Sequence, residues 1–304
     1  MAWLTACMNG SRRVGDSRFL QRAWLFAGLA CAAWAAGTGC AEQTIRPNRG
    51  LLQEETARYS DHDWARVLDL YVRDGLVDYK ALKASPKPLK QYYAILSQTG
   101  PTLTPEDFEA RSDRVAYWIN AYNALVLLAV LERYPVSTMY DLSLPRLEHE
   151  YHFTVDGQEC NLAWIERQML AESGSDARVL LATSRAAMGT PCLADQPYRG
   201  AVLGGQLAQA AARSLKNPHL CRLDHDRQWI LVWQMFLNRE ADFLAYWESR
   251  HRTETGYLFN VLLDLASPER RRQLQDVVGY QVVEIPFDRR LNEYRPGPRR
   301  AIAP

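Results

Sequence analysis

The residues able to do chemistry in this 304-residue chain are few and widely spaced. His149-Glu150-Tyr151-His152 comes nearest to a metal motif. Zinc-binding helices set histidines four apart with glutamate directly after the first, whereas here the spacing is three and no third ligand is marked. Packed or solvated histidines are the simpler reading, and neither a metal nor another cofactor is expected. Cys192, one residue after Pro191, offers a thiol that could act as a nucleophile, with His149, His152 or His225 as its base. Thr190, in Gly-Thr-Pro, could offer a hydroxyl instead. Bare cysteines in exported proteins more often pair or pack than catalyse. The chain contains no P-loop, no GxGxxG after a strand and no GxSxG, so nucleotide-driven, dinucleotide and standard serine-hydrolase chemistry find no support.

The element that must position these groups is Tyr117 to Val136, YWINAYNALVLLAVLERYPV. Trp118, Ile119, Tyr122, Leu125, Val126, Ala129 and Val130 follow the i, i+3, i+4, i+7 rule, and the opposite side is apolar too. A helix greasy on nearly all sides is a central one, and it should stop at Tyr134, before Pro135. Asn120 and Asn123 share one of its faces. Buried amides need partners, so the pair is expected either to bond a neighbouring loop's backbone or to line a site.

Before this helix the pattern gives a helix from Trp64 toward Gly75, a short one over Tyr79 to Ala84 and another over Pro88 to Ser97. After it, Asp156-Gly157 is the strongest hairpin signal, between His152 to Val155 and Gln158 to Cys160. Asn161 caps a helix over Leu162 to Ala171. Arg178 to Thr183 reads as a buried strand, followed by a long loop from Ser184 to Arg199. A helix over Ala201 to Leu215 follows, then a strand pair around Asp224 to Arg227. Short helices and a last strand, Gly279 to Ile285, complete the body. The fold class is α+β, mostly helical, with a few short strands in the second half.

Apolar content of 47% with 23% charged residues is ordinary for a globular protein. Residues 1–40 hold Arg12, Arg13, Arg18 and Arg22 against Asp16 alone, so the net charge of +1 leaves the remainder near −2. Such a body has no general pull toward nucleic acid, and none is expected as a partner. Basic residues followed by fourteen apolar ones, Ala23 to Ala36, have the length of a signal-peptide core rather than of a membrane span. Gly37, Thr38, Gly39 and Cys40 then resemble a bacterial lipoprotein signal with Cys40 as the acylated residue, although Gly37 stands where leucine is usual. The rival is ordinary cleavage near Ala33-Trp34-Ala35. The division expected is a signal peptide over 1–39, a tether over 40–60, a globular domain over 61–294 and a frayed end over 295–304. Cys160, Cys192 and Cys221 then remain, an odd number whose pairing sequence leaves open.

Six stretches together resemble the family called domain of unknown function 547, found in bacteria and plants. They are VDYKAL (Val77 to Leu82), the central helix, VDGQECNLAWIER (Val155 to Arg167), RVLLATSRAAMGTPCL (Arg178 to Leu193), GGQLAQAAARSLKNP (Gly204 to Pro218) and IPFDRRLNEY (Ile285 to Tyr294). The resemblance spans about Asp61 to Tyr294 and brings no established activity with it. Bacterial members typically carry histidine where this chain has Arg167 and Leu180, and cysteine where it has Arg185 and Thr190. Nucleophilic or proton-shuttling chemistry at those positions would need a thiolate or imidazole, so this copy should lack it. Asn120, Asn123, Glu166, Asp288 and Asn292 keep the family's polar pattern, as a structural network or a ligand site.

These readings point to an exported, lipid-anchored envelope protein. It would act as a non-catalytic module for a peptide, glycan or protein partner, bound in a groove between the central helix and the loop Ser184 to Arg199. The alternative is an envelope hydrolase or transferase using Cys192 or Thr190.

Overall fold

The computed structural model describes residues 43–51, 58–138, 144–251 and 256–295. The proposed signal peptide and Cys40 lie outside the described residues. In chain order the elements are β1 (Gln43–Thr44), α1 (His62–Tyr71), β2 (Val72–Arg73), β3 (Leu76–Val77), α2 (Tyr79–Ala84), α3 (Lys87–Leu96) and α4 (Arg111–Arg133). Then come α5 (Leu144–His149), β4 (Tyr151–Val155), β5 (Gln158–Cys160), α6 (Leu162–Ser173) and α7 (Leu203–Lys216). The chain continues with β6 (Cys221–Asp224), β7 (Trp229–Val232), α8 (Gln234–Asn238), α9 (Glu240–Arg250), α10 (Leu258–Leu265), α11 (Pro268–Gln275) and β8 (Gln281–Glu284). The body is one α+β domain built round a buried long helix.

That helix is α4. Every residue from Val115 to Leu131 is buried, Asn120 and Asn123 included. By length and composition it could cross a membrane, yet 94% of its apolar window is packed inside the protein, which makes it a core helix. It lies against α6, α3 and the turn ahead of α7. Aromatic edges join these layers: Trp118 meets Trp164 at 5.5 Å, and Tyr117 meets Tyr59 at 5.3 Å and Phe108 at 5.0 Å. Such tilted and edge-to-face pairs add to the area buried.

The small sheets follow their turns. Asp156 (φ 51°) and Gly157 (φ 73°) both take positive φ, the two-residue reversal that joins β4 to β5. The Asp156 carboxylate also accepts the N–H groups of Thr102 and Leu103 at 2.9 and 2.8 Å, tying the hairpin to the loop after α3. The Asn161 side chain accepts the Trp164 N–H at 2.9 Å and caps α6, a bond worth about 1 kcal/mol. β6 and β7 are antiparallel, and β8 adds to β7 in parallel with Trp229 opposite Gln281.

Three expectations need correction. Arg178 to Thr183 is no strand: Ala177–Leu181 is a 3₁₀ turn packed against α6 and α7. A short apolar run is buried in either conformation, and periodicity cannot separate the two. The helix ending toward Gly75 stops at Tyr71, because Asp74 and Gly75, both at positive φ, turn β2 onto β3. Part of the expected tether is docked: Gln43 and Thr44 pair in parallel with Tyr151 and His152, and the Tyr93 hydroxyl donates to the Ile45 carbonyl at 2.5 Å.

Candidate functional site

The long loop after Ala182 is the feature on which the candidate residues converge, and α4 holds its inner side. Asn123 donates to the Ala182 carbonyl at 3.0 Å and accepts the Ser184 N–H at 2.8 Å. Asn120 does the same to a single residue, donating to the Tyr198 carbonyl at 2.8 Å and accepting its N–H at 2.9 Å. Both asparagines therefore serve the loop's backbone, with donor and acceptor used. At these two points the bonds hold the loop against α4, where a groove was expected, and Arg185 and Cys192 each line a cleft of their own.

The C-terminal segment holds that loop from another direction. Met188 and Gly189 donate their N–H groups to the carbonyls of Arg290 and Asp288, and Asn292 donates its own to Ala186. The Asn292 side-chain oxygen accepts the Tyr79 hydroxyl at 2.7 Å, which links the segment to α2. Asp288 accepts from Arg290 and stands 3.2 Å from His219 Nδ1. Gly189 presses on this segment so closely that a Cβ there would come within 2.8 Å of the Asp288 nitrogen.

The first outer cleft, about 670 Å³, is lined by Arg185, Glu148, Glu166, Arg239, Met235 and Phe287 among others. Arg185 donates to Glu166 at 2.7 Å and pairs with Glu148 at 2.8 Å, while its Nε also reaches the Tyr122 hydroxyl at 3.2 Å. Burial opposes the Arg185 charge, but Tyr122, Glu148 and Glu166 outweigh it and hold the guanidinium above its ordinary range. Glu166 also meets Arg239 at 3.3 Å, so both its oxygens are engaged. Arg167 is exposed beside it and Leu180 is buried in the core. The buried Thr190 hydroxyl donates to the Ala187 carbonyl at 2.8 Å and accepts the Arg185 N–H at 3.2 Å. It staples the loop and also lines both outer clefts.

The second outer cleft, about 500 Å³, contains Cys192, with Gly75, Leu193, Arg213, Asn217 and His219 in its lining. None of the three histidines considered as a base for Cys192 lines it. His149 faces the Arg185 cleft, His152 lies 3.6 Å from Glu159 on the hairpin, and His225 meets Tyr280. The imidazole that shares the cleft is His219. Sequence reasoning missed it because Asn217-Pro218 reads only as a helix stop, and Asp288 lies 69 residues further on. Burial pushes the Cys192 thiol up, against smaller opposing pulls from Arg213 and the Asn217 amide, which approaches the sulfur at 3.7 Å.

Cys160, Cys192 and Cys221 are all free thiols. Among the described residues no group of three His, Cys, Asp or Glu side chains is placed to hold a metal. Chemically, these clefts thus offer a charge-compensated site at Arg185, and a thiol and an imidazole that share the Cys192 cleft, the imidazole paired with Asp288.

Residues 105–214 match the model of the family described as protein of unknown function, DUF547. The match takes in α4, the β4–β5 hairpin, α6, the whole loop and most of α7, a narrower span than the six resembling stretches. No curated protein and no solved structure matches the chain. Residues 105–214, which supply both loop-holding asparagines, Glu166, Arg185, Thr190 and Cys192, are thus the part of this chain that is similar to the DUF547 family.

Proposed function

We propose that this protein, similar to the DUF547 family over residues 105–214, is an exported, lipid-anchored module of the cell envelope that binds a polar ligand without transforming it. The ligand, a peptide, a glycan or a segment of a partner protein, would occupy the Arg185 cleft. One observation carries the reading: where the family resemblance places a cysteine, a guanidinium is fixed between Glu148 and Glu166 at 2.8 and 2.7 Å. Such a group cannot attack or shuttle a proton near neutral pH, but its cleft holds fixed donors and acceptors beside Met235 and Phe287. Convergent polar groups in a partly apolar concavity are the usual form of a ligand site. Calorimetry of the full chain with peptidoglycan fragments and a peptide panel tests this. Binding that is lost in Asn238→Ala with Arg239→Gln, at unchanged fold, is expected. Binding indifferent to that pair would overturn the assignment to this cleft.

A second reading rests on His219, whose Nδ1 is held by Asp288 in the Cys192 cleft. There His219 would accept the thiol proton as the sulfur attacks an acyl carbon. It would return the proton to the leaving group, and water or an acceptor nucleophile would then cleave the thioester. Burial of the thiol weighs against this reading. Acyl transfer that vanishes in Cys192→Ala and in His219→Gln would establish it over the binding module.

A further inference from the structure

Three cations from three separate elements converge on one cleft whose lining holds a single carboxylate, Asp276, which forms no ion pair with any of them among the described residues. Lys216 ends α7, Arg222 stands in β6 and Arg270 lies in the first turn of α11. With His225, Gln273 and Asp276 they line a cleft of about 450 Å³. None of the three forms an ion pair among the described residues, whereas Arg114, Arg178, Arg185, Arg199 and Arg239 all do. Like charges gathered this way repel one another and raise the local positive potential.

Ordinary structural roles do not account for the gathering. Lys216 complements the C-terminal end of α7, where a cation is favoured. Arg270 does the reverse, standing at the positive end of α11. It is nevertheless held in place by neutral acceptors: its guanidinium donates to the Cys221 carbonyl at 3.1 Å and to the Gln273 side chain at 2.9 Å. Its Nε is buried and has no acceptor. The Arg270 charge is therefore positioned without an ion pair among the described residues, and three cations face the one Asp276 carboxylate in the cleft. Lys216 and Pro218 also line the Cys192 cleft, where Arg213, which forms no ion pair among the described residues, and Asp195 stand as well.

We propose that this cleft is an anion site for a small ligand carrying two or more phosphate or carboxylate groups. Planar guanidinium groups pair with either oxyanion through paired N–H bonds, and a volume of about 450 Å³ suits a small molecule. The site is separate from the Arg185 cleft and does not depend on what that cleft binds.

The test is calorimetry of the full chain with tripolyphosphate, citrate and inorganic phosphate at low and at high salt. At least one multivalent anion should bind more tightly than inorganic phosphate and weaken as salt rises. The preferred anion identifies the ligand as phosphorylated or polycarboxylic. Lys216→Gln and Arg222→Gln, both at exposed positions, should each weaken it about tenfold, the size of one charged hydrogen bond. Arg270→Gln should do the same or more, but it also loosens β6, so the exposed pair decides. The proposal is overturned if neither multivalent anion binds at low salt, or if the Lys216→Gln with Arg222→Gln double variant binds as the parent does.

Discussion

Asn123 holds both ends of a backbone kink at once, accepting the Ser184 N–H at 2.8 Å and donating to the Ala182 carbonyl at 3.0 Å. Replacing it by leucine keeps the helix apolar but leaves two buried backbone groups unpaired. Asn123→Leu should therefore lose about 2–6 kcal/mol, from roughly 1–3 kcal/mol for each of the two orphaned groups. Urea unfolding measures it, and a loss of no more than about 0.5 kcal/mol, the size of a neutral surface change, would contradict the assigned role.

Arg185 predicts a different pattern. Its removal strands Glu148 and Glu166 beside a cleft instead of stranding backbone. Arg185→Met should cost about 3–5 kcal/mol, the penalty for breaking one side of a buried ion pair. Arg185→Met combined with Glu148→Gln and Glu166→Gln should recover much of it. Equal stability of the single and triple variants in a denaturant titration would show that the network is not energetically coupled.

Gly75 should not tolerate a side chain. Its φ of +80° suits glycine, and a Cβ there would lie 2.5 Å from the Cys192 Cβ. Gly75→Ala is expected to lower stability by about 1–3 kcal/mol and to change the accessibility of Cys192. Thermal melts and the rate of thiol labelling check the two parts separately.

The thiols themselves should label in a definite order. Burial pushes Cys160 up to about 12 and also raises Cys221, which Arg270 pulls back only in part. Cys192 is raised too but is partly exposed. Iodoacetamide at pH 8 followed by peptide mapping should find Cys192 modified slowly, and Cys160 and Cys221 only after unfolding. Rapid labelling of Cys192 would instead signal an activated thiolate and favour the acyl-transfer reading.

Acid should loosen the C-terminal segment through Asp288. Hydrogen bonding to Arg290 holds its carboxyl below the usual carboxylate range against the opposing effect of burial, with help from His219. A depressed folded-state value means that its contribution is complete above the ordinary carboxylate pKa, about 3.9. It is lost as pH falls through the lower folded value. Between pH 5 and pH 2 the parent should lose more stability than Asp288→Asn; identical acid profiles would remove Asp288 from the account.

Much of this was legible in the residue pattern because the deciding signals were local. The α4 stripe, the Asp156-Gly157 reversal and the Asn161 cap each sit within a few residues of what they determine. The buried run before Thr183 was misread because its 3₁₀ turn is selected by packing between α6 and α7. The site was harder still. Asn120 and Asn123 could be marked as needing partners, but the partners lie 59 to 78 residues away. The His219–Asp288 pair and the convergence of Lys216, Arg222 and Arg270 exist only once distant segments meet, and no spacing rule announces them.

If Cys40 carries the proposed lipid, the docking of Gln43 and Thr44 beside β4 would limit how far the body stands from a bilayer. A free tether through residue 60 could lift the domain tens of ångströms and let it turn at random. An acyl group on Cys40 would instead leave three residue steps to β1, on the order of 10 Å of extended chain. The β1–β4–β5 edge would then ride close to the headgroups, and the molecule would present itself to its surroundings in a restricted set of orientations.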